Sequence, residues 1–350
     1  MSFLEKLIRP QVRELRAYHV DEPPVNIKLH ANESPYNLDA ELVGEIAEEV
    51  EAIAFNRYPD AGCEDLRDIL AGQLGVRKEQ VLLGNGSDEL IQMIIMAFGG
   101  HGSPVVIPHP TFSMYKNIAF AMGEEVRSIP LDESFELDGK AMIDEVKKGP
   151  SITFISYPNN PTGNCFSEET ITQILEASQG IVVIDEAYFD YSKKSFLEKL
   201  KDYPNMIVLR TLSKIGMASL RLGILIASEA LTDVVNRVRL PYNMGSLQQA
   251  AALVALRHRE ELDRGIMAII EERARVCNIM KNIKNIETFT SHSNFLLFRV
   301  SNGGDVFKKI VEKGVLIRNL DSNGPLKNWL RVTIGRPEEN DIFLNIIKSI

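Results

Sequence analysis

Short β-type runs alternate with helical segments from about residue 80, and this pattern constrains the fold more than any other feature of the chain. The runs are SPVVIP, SITFISYP, IVVIDEAY, NMIVLRT and LGILIAS, and all are rich in β-branched residues and apolar on both faces. A strand that is apolar on both faces must be covered by helices on two sides. Helical segments such as GSDELIQMIIMAF and SEETITQILEAS lie among these runs. The alternation therefore predicts an α/β fold with a mostly parallel, doubly wound sheet.

The pattern changes at Ser246, where a long helical stretch begins that is either continuous or broken near Gly265. Ser246 and Gln249 form an S-x-x-Q pattern, which predicts a capping box at the start of this stretch. Beyond it, SNFLLFRV, GVLIRNL and WLRVTIG are typical of strands in a smaller α+β domain. We therefore predict three parts: an N-terminal segment that joins the small domain (1–50), a large domain (51–245), and an interdomain helix with the small domain (246–350).

Composition restricts the class of protein. The chain has 350 residues and a net charge of −9 without a dense Lys/Arg run, which argues against nucleic acid or an anionic membrane as the main partner. Apolar runs such as LIQMIIMAF are shorter than the roughly 20 residues that span a bilayer, and MSFLEKLIRP does not resemble a signal peptide. Three scattered cysteines without C-x-x-C and six histidines without H-E-x-x-H predict reduced thiols, no metal site and a cytoplasmic location.

Two short polar pieces could bind a phosphate and the face of a planar ring. LLGNGSDE is a glycine-flanked turn that enters a helix, where backbone N–H groups and the Ser87 hydroxyl could hold a phosphate. The alternative is a simple turn with Ser87 or Asp88 as the helix cap. HPTFSMY places Phe112 after a strand, at the edge where open α/β sheets bind ligands. Phe112 could stack on a ligand ring there, or it could be an ordinary core residue.

Three further pieces offer an amide, an acid and an amine. Asn160 in YPNNPTG precedes a proline, which holds its backbone extended. Asp185 ends the apolar strand VVID, where a poorly solvated carboxylate requires a cation such as a protonated pyridine nitrogen, and Tyr188 could donate to a phenolate oxygen. Lys214 in TLSK would lose its proton easily in an enclosed, cationic pocket. Each piece alone could be a turn, a helix cap or a surface lysine, but together they supply what is needed to hold pyridoxal phosphate.

The chain also resembles a known family in motifs that are spread over nearly its whole length. The motifs are LHANESPY, NRYPD, GNGSDE, PTFSMY, YPNNPTG, VIDEAY, RTLSKIG, LRLG, PYN, NFLLF and LRVTIG. They are similar to those of fold-type I pyridoxal-phosphate aminotransferases and, within these, of the histidinol-phosphate aminotransferase family. The resemblance implies a large domain with a mostly parallel, seven-stranded sheet covered by helices, plus a smaller α+β domain.

The resemblance implies a role for each matching residue around the cofactor ring. Lys214 is implied as the Schiff-base lysine that also moves the substrate proton. Asp185 is implied as the partner of the pyridine nitrogen, and Asn160 and Tyr188 as contacts of the ring oxygen. Phe112, where tyrosine is commoner in the family, is implied as the residue that stacks on the ring.

Further residues are implied at the cofactor phosphate: Gly86, Ser87, Ser213 and Arg221. Tyr58 is implied to reach the phosphate from a neighbouring subunit, which predicts a homodimer with a shared active site. Lys214 and Arg221 are seven residues apart, one fewer than in many relatives. This short interval predicts a tight loop between them.

Substrate recognition requires another cation. Arg331 in WLRVTIG and Arg318 in VLIRNL are arginines in apolar strand contexts, where each could instead be a structural ion pair or a surface residue with a packed stem. The resemblance puts Arg331 at the substrate anion, which would be the phosphate of histidinol phosphate or a carboxylate of glutamate or 2-oxoglutarate. Tyr18 and Asn32 are similar to residues that close this pocket.

The implied reaction transfers the amino group of histidinol phosphate to 2-oxoglutarate, a step of histidine biosynthesis. Three alternatives remain open at this point. One is an aromatic amino-acid aminotransferase, and another is a threonine-phosphate decarboxylase-like enzyme on the same scaffold. The third is a regulatory or ligand-binding module without turnover, which the complete set of Lys214, Asp185 and Tyr188 disfavours.

Overall fold

The computed structural model describes residues 3–15, 17, 23–321 and 324–350. Strands occur where the β-type runs predict them, together with short strands in other segments. In chain order they are β1 (Ile27–Leu29), β2 (Val81–Asn85), β3 (Val105–His109), β4 (Val126–Pro130), β5 (Ile152–Ser156), β6 (Ile181–Asp185), β7 (Met206–Thr211), β8 (Leu222–Ala227), β9 (Glu287–Thr288), β10 (Phe295–Arg299), β11 (Val315–Asn319) and β12 (Trp329–Thr333).

Helices alternate with the strands through the middle of the chain. They are α1 (Phe3–Leu7), α2 (Pro10–Glu14), α3 (Ala40–Glu51), α4 (Glu64–Leu74), α5 (Ser87–Phe98), α6 (Ser113–Met122), α7 (Gly139–Val146), α8 (Glu168–Ala177), α9 (Phe189–Ser192), α10 (Glu229–Asn236), α11 (Ser246–Arg257), α12 (Arg259–Lys281), α13 (Gly303–Glu312) and α14 (Pro337–Lys348). The Ser167 side chain caps α8 by accepting a hydrogen bond from the Thr170 N–H, as Ser and other short polar residues do at helix starts.

The larger sheet has seven strands in the order β2-β8-β7-β6-β5-β3-β4. Strand β8 is antiparallel to both neighbours, and the other adjacent pairs are parallel. Side chains alternate between two buried clusters: Val182 and Ile184 of β6 lie in one, and Val183 lies in the other. Burial on both faces explains the apolar runs, and it confirms the predicted mostly parallel sheet between helical layers.

The smaller sheet has five strands in the order β1-β11-β12-β10-β9. Strand β1 pairs in parallel with β11, with Ile27 opposite Val315. The N-terminal strand thus belongs to the sheet whose other strands come from the C-terminal part of the chain. The domain limits at residues 50 and 245 stay a prediction.

The predicted details of the long helical stretch are wrong in two respects. The stretch breaks at His258, between α11 and α12, and Gly265 lies inside α12, where it packs against Tyr36. The cap is Gly245, whose N–H donates a 2.7 Å hydrogen bond to the Gln248 side chain. The side chain of Gln249 instead donates to the backbone, so the S-x-x-Q pattern makes no box.

Candidate active site

The carboxyl ends of β5, β6 and β7 meet at one edge of the larger sheet, and the polar motifs leave the strands there. Lys214 follows β7 by three residues and is half-buried. Its Nζ atom donates a 3.4 Å hydrogen bond to the carbonyl of Ala31 and lies 6.0 Å from the centre of the Tyr188 ring. Burial, followed by the nearby Arg331 cation, lowers the pKa of Lys214 to about 8. A substantial fraction of this amine is therefore neutral near physiological pH.

Asp185 is the last residue of β6 and lies opposite Ser156 of β5. Its buried carboxylate accepts a 2.6 Å hydrogen bond from the Tyr115 hydroxyl and a 3.1 Å hydrogen bond from the Ala187 N–H. Burial raises the pKa of Asp185 to about 6. Both donors are neutral, so the carboxylate keeps its capacity to pair with a cationic atom of a ligand.

The turn before α5 is shaped by two glycines. Gly86 has φ of +82°, and a Cβ atom on it would collide with the Arg221 guanidinium. A Cβ atom on Gly223 would lie 2.6 Å from the backbone nitrogen of Ser87. The two glycines therefore leave room for the first N–H groups of α5 and for Arg221 to face the same space, as an anion site at a helix start requires.

Arg221 joins this turn through a tight loop, as the short interval after Lys214 predicts. A 3₁₀ turn at Ala218–Leu220 precedes it, and Arg221 itself has φ of +48°. Its guanidinium lies 3.5 Å from the Ser213 hydroxyl and 3.3 Å from the Asp88 carboxylate. The structure thus brings together the four residues that were predicted at the phosphate: Gly86, Ser87, Ser213 and Arg221.

Arg331 of β12 approaches the site from the smaller sheet. The buried guanidinium donates to the side-chain oxygen of Asn160 and, over 2.9 Å, to the carbonyl of His30. It also lies 5.1 Å from the centre of the Phe295 ring. Arg318 of β11 is directly opposite Arg331 in the antiparallel pair and is exposed. Opposite residues of such a pair point to the same face, so the second arginine lies beside the first and nearer to solvent.

Asn32 links the N-terminal segment to Tyr188. Its side-chain amide donates a 2.8 Å hydrogen bond to the Tyr188 hydroxyl, and the Thr333 hydroxyl lies 3.2 Å from its side-chain oxygen. Asn32 is buried and has φ of +56°, a conformation that asparagine tolerates better than most residues. Burial raises the pKa of Tyr188 above its ordinary value, so this phenol is neutral.

Three predicted residues remain, and two of them, Phe112 and Tyr58, lie in the described part of the chain. Phe112 is half-buried at the start of α6. Tyr58 is 79% exposed and stacks on Tyr242 with 4.5 Å between ring centres, on the surface of the chain. Tyr18 lies outside the described residues.

Sequence reasoning missed Tyr115, the hydroxyl donor to Asp185. A signal was present in PTFSMY, because Tyr115 is three residues after Phe112 in a segment that enters a helix. Residues three apart on a helix lie on the same side. That spacing could have placed Tyr115 near any ligand that Phe112 contacts.

The donor set fits pyridoxal phosphate. Lys214 offers an amine for the aldehyde, buried Asp185 offers an acid for the ring nitrogen, and the Gly86 turn with Arg221 is open to an anion. The described part of the chain contains no group of His, Cys, Asp or Glu side chains arranged to hold a metal ion. Within the same ranges, no helix combines the length and the apolar character that crossing a bilayer requires.

Comparison with known proteins agrees with this chemistry. The family described as aminotransferase class I and II matches residues 24–347. Histidinol-phosphate aminotransferase 2 of Nitrosococcus oceani is 42% identical over 98% of this chain and 96% of its own length. Histidinol-phosphate aminotransferase of Aquifex aeolicus is 41% identical over 98% of both chains.

A solved structure has the same fold. Histidinol-phosphate aminotransferase from Sinorhizobium meliloti, in complex with pyridoxal-5'-phosphate, aligns with a TM-score of 0.87 at 22% identity over 98% of both chains. Enzymes of the matching family depend on pyridoxal phosphate, which confirms the predicted cofactor. The chain therefore belongs to the class I and II aminotransferase family, within which the curated relatives that it resembles over nearly its full length are histidinol-phosphate aminotransferases.

Proposed function

We propose that the protein transfers the amino group of histidinol phosphate to 2-oxoglutarate, yielding imidazole-acetol phosphate and glutamate, and that it serves histidine biosynthesis. The observation that carries this proposal is that the Lys214 amine, 6.0 Å from the Tyr188 ring, and the buried Arg331 guanidinium, bonded to Asn160, approach the same site from the two sheets. The lysine suits amine chemistry on a carbonyl, and the arginine suits an anionic substrate. The curated relatives named for this activity support the choice of substrate.

Each residue around the cofactor ring would have its own role in the reaction. When bound, pyridoxal phosphate supplies an aldehyde and an electron-accepting ring. Lys214 would hold the aldehyde carbon, and its Nζ atom, once released, would accept the substrate α-proton and return it to that aldehyde carbon of the cofactor. Asp185 would keep a proton on the ring nitrogen. Asn160 and Tyr188 would orient the ring oxygen, and Phe112 would cover one face of the ring.

The phosphate of the cofactor would bind at the start of α5. Gly86 and Ser87 would contribute backbone N–H groups, and Ser213 and Arg221 would add a hydroxyl and a guanidinium. Arg221 is held by Asp88 at 3.3 Å, an exposed ion pair that adds little stability by itself. An incoming phosphate dianion could therefore replace Asp88 as the partner of the Arg221 guanidinium.

Substrate anions would bind at the smaller sheet. Arg331 would serve both half-reactions, holding the phosphate of histidinol phosphate in one and a carboxylate of 2-oxoglutarate in the other. Arg318, opposite Arg331 in the register and exposed, would add a second cation for the more highly charged phosphate. Asn32, through its hydrogen bond to Tyr188, and Tyr18 would close the pocket over the substrate.

We also propose a homodimer and a cytoplasmic location. Two segments of the chain, joined by the stacking of Tyr58 on Tyr242, carry further exposed apolar side chains. These are Phe55, Leu240 and Leu247. An exposed apolar patch of this kind is typical of a protein interface, and it would bring Tyr58 to the phosphate site of a second copy. The three free cysteines suit a reducing compartment.

A comparison of substrates tests the proposed function. Purified protein is incubated with pyridoxal phosphate, 2-oxoglutarate and one of three amino compounds: histidinol phosphate, phenylalanine or threonine phosphate. We expect glutamate to form fastest from histidinol phosphate. Faster glutamate formation from phenylalanine would indicate an aromatic aminotransferase, and release of CO₂ from threonine phosphate without glutamate would indicate a decarboxylase.

A further inference from the structure

Tyr115 is held rigidly against the acid of the site. It lies in the first turn of α6 and is fully buried. Its ring stacks on Phe154 with 4.8 Å between centres, and it meets Phe112 edge to face at 5.4 Å. Because the ring is packed on two sides, its hydroxyl is held where it donates the 2.6 Å hydrogen bond to Oδ2 of Asp185.

The charged and polar groups around Asp185 explain why the Tyr115 hydroxyl controls the ionisation of the Asp185 carboxylate. Burial and neighbouring carboxylates raise the pKa of Asp185, whereas the Tyr115 hydroxyl and the Ala187 N–H lower it. The titratable groups that face the carboxylate are Tyr115 of α6, Asp88 of α5, and Glu186 and Tyr188, which follow it in the chain. Glu186 already has its own cationic partner, Arg210, at 2.9 Å. Among these neighbours, Tyr115 is the side chain that favours the ionised form of Asp185.

We propose that Tyr115 is a positioning residue that fixes the orientation and the charge of Asp185 and thereby keeps the proton of the Asp185–cofactor pair on the ring nitrogen. The proposal rests on the role of Asp185 in the proposed function. With the hydroxyl present, the carboxylate is the weaker base and the ring nitrogen holds the proton. Without it, the carboxylate becomes more basic, and the same proton moves from the ring nitrogen to the Asp185 oxygen.

The first test needs no cofactor and no substrate. Full-length apo-protein is labelled with ¹³C at the aspartate carboxyl carbons, and Asp185→Asn identifies the signal of Asp185. In Tyr115→Phe, which keeps both ring contacts, we expect the titration midpoint of Asp185 to rise above that of the unaltered protein. Tyr157→Phe is the matched control, because Tyr157 is another buried tyrosine, packed edge to face on Phe196. An unchanged Asp185 midpoint in Tyr115→Phe would overturn the proposal.

The second test uses the holoenzyme with ¹⁵N in the pyridine ring. In Tyr115→Phe we expect the nitrogen signal to move from the pyridinium toward the neutral position and kcat to fall about tenfold at an unchanged KM. A pyridinium signal that persists in Tyr115→Phe would overturn the proposal, whatever the effect on rate. Unaltered protein that binds no pyridoxal phosphate would instead contradict the proposed function, and the carboxyl titration would still decide whether Tyr115 controls Asp185.

Discussion

The side-chain amide of Asn32 donates a 2.8 Å hydrogen bond to the hydroxyl oxygen of Tyr188. Asn32 follows β1 of the smaller sheet, and Tyr188 follows β6 of the larger one. The bond uses one acceptor position of the phenol oxygen and leaves the phenol proton free to be donated. Tyr188 can therefore serve as a donor to a ring oxygen only in the direction that Asn32 leaves open.

Replacing the Asn32 donor should weaken this orientation. Asn32→Asp keeps the shape and the tolerance for positive φ but removes the N–H group. We expect kcat/KM to fall about tenfold, the effect of one lost hydrogen bond between buried groups, as measured in steady-state assays. Asn285→Asp is the control, because Asn285 also has positive φ but is exposed. Equal activity of the two variants would argue against the role of Asn32.

Removal of the Lys214 amine should abolish attachment of the cofactor. In Lys214→Ala we expect the Schiff-base absorbance near the visible edge to disappear and transamination to stop. The exposed Lys140, changed to alanine, should leave both unaltered. If the absorbance band persists in Lys214→Ala, another lysine holds the cofactor.

Capture of pyridoxal phosphate by the apo-protein should depend on pH through Lys214. The amine is charged below its pKa of about 8 and neutral above it, so the rate constant for band formation should rise as the pH increases through this value. Arg331→Met should move the midpoint to higher pH, because the Arg331 cation helps to lower the pKa. The exposed Arg299, which pairs with Glu287, serves as control in Arg299→Met. A midpoint that is identical in all three proteins would contradict this account.

Arg331 and Arg318 of the smaller sheet should differ in which substrate their replacement affects. Arg331→Lys should lower kcat/KM for both histidinol phosphate and 2-oxoglutarate on the order of 100-fold, because an ammonium cannot replace a guanidinium fork. Arg318→Ala should raise KM for histidinol phosphate about tenfold and leave KM for 2-oxoglutarate unchanged. Equal effects of Arg318→Ala on both substrates would show that Arg318 does not discriminate between them.

The exposed apolar patch around Tyr58 and Leu240 should form the interface with a second copy of the chain. Leu240 is 70% exposed, and Leu240→Asp would place a charge in the proposed interface. We expect light scattering to show a dimer for the unaltered protein and a monomer for the variant, with weaker retention of pyridoxal phosphate. Ile342→Asp changes an apolar residue of α14 that is exposed elsewhere and should remain dimeric. A monomeric unaltered protein would exclude the shared site.

The sequence predicts the larger sheet and its edge well for a physical reason. Asp185 ends the apolar strand β6 and Lys214 follows the apolar strand β7 by three residues, and parallel strands that are neighbours in the chain place such residues near each other. The contact between Arg331 and Asn160 was not predictable, since 171 residues separate them and only the docking of two sheets joins them. The helix break at His258 escaped prediction because Gly265 carried the stronger local signal, although a glycine inside a helical pattern can be tolerated without ending the helix, as Gly265 is inside α12.

The pairing of β1 with β11 has a consequence for motion. Residues 30–32 extend from the smaller sheet, whereas Lys214 extends from the larger one, and the Ala31 carbonyl meets the Lys214 amine at 3.4 Å. A change in the angle between the two sheets must alter this separation and, with it, the hydration of the amine. The pKa of Lys214 would therefore change with the angle between the two sheets.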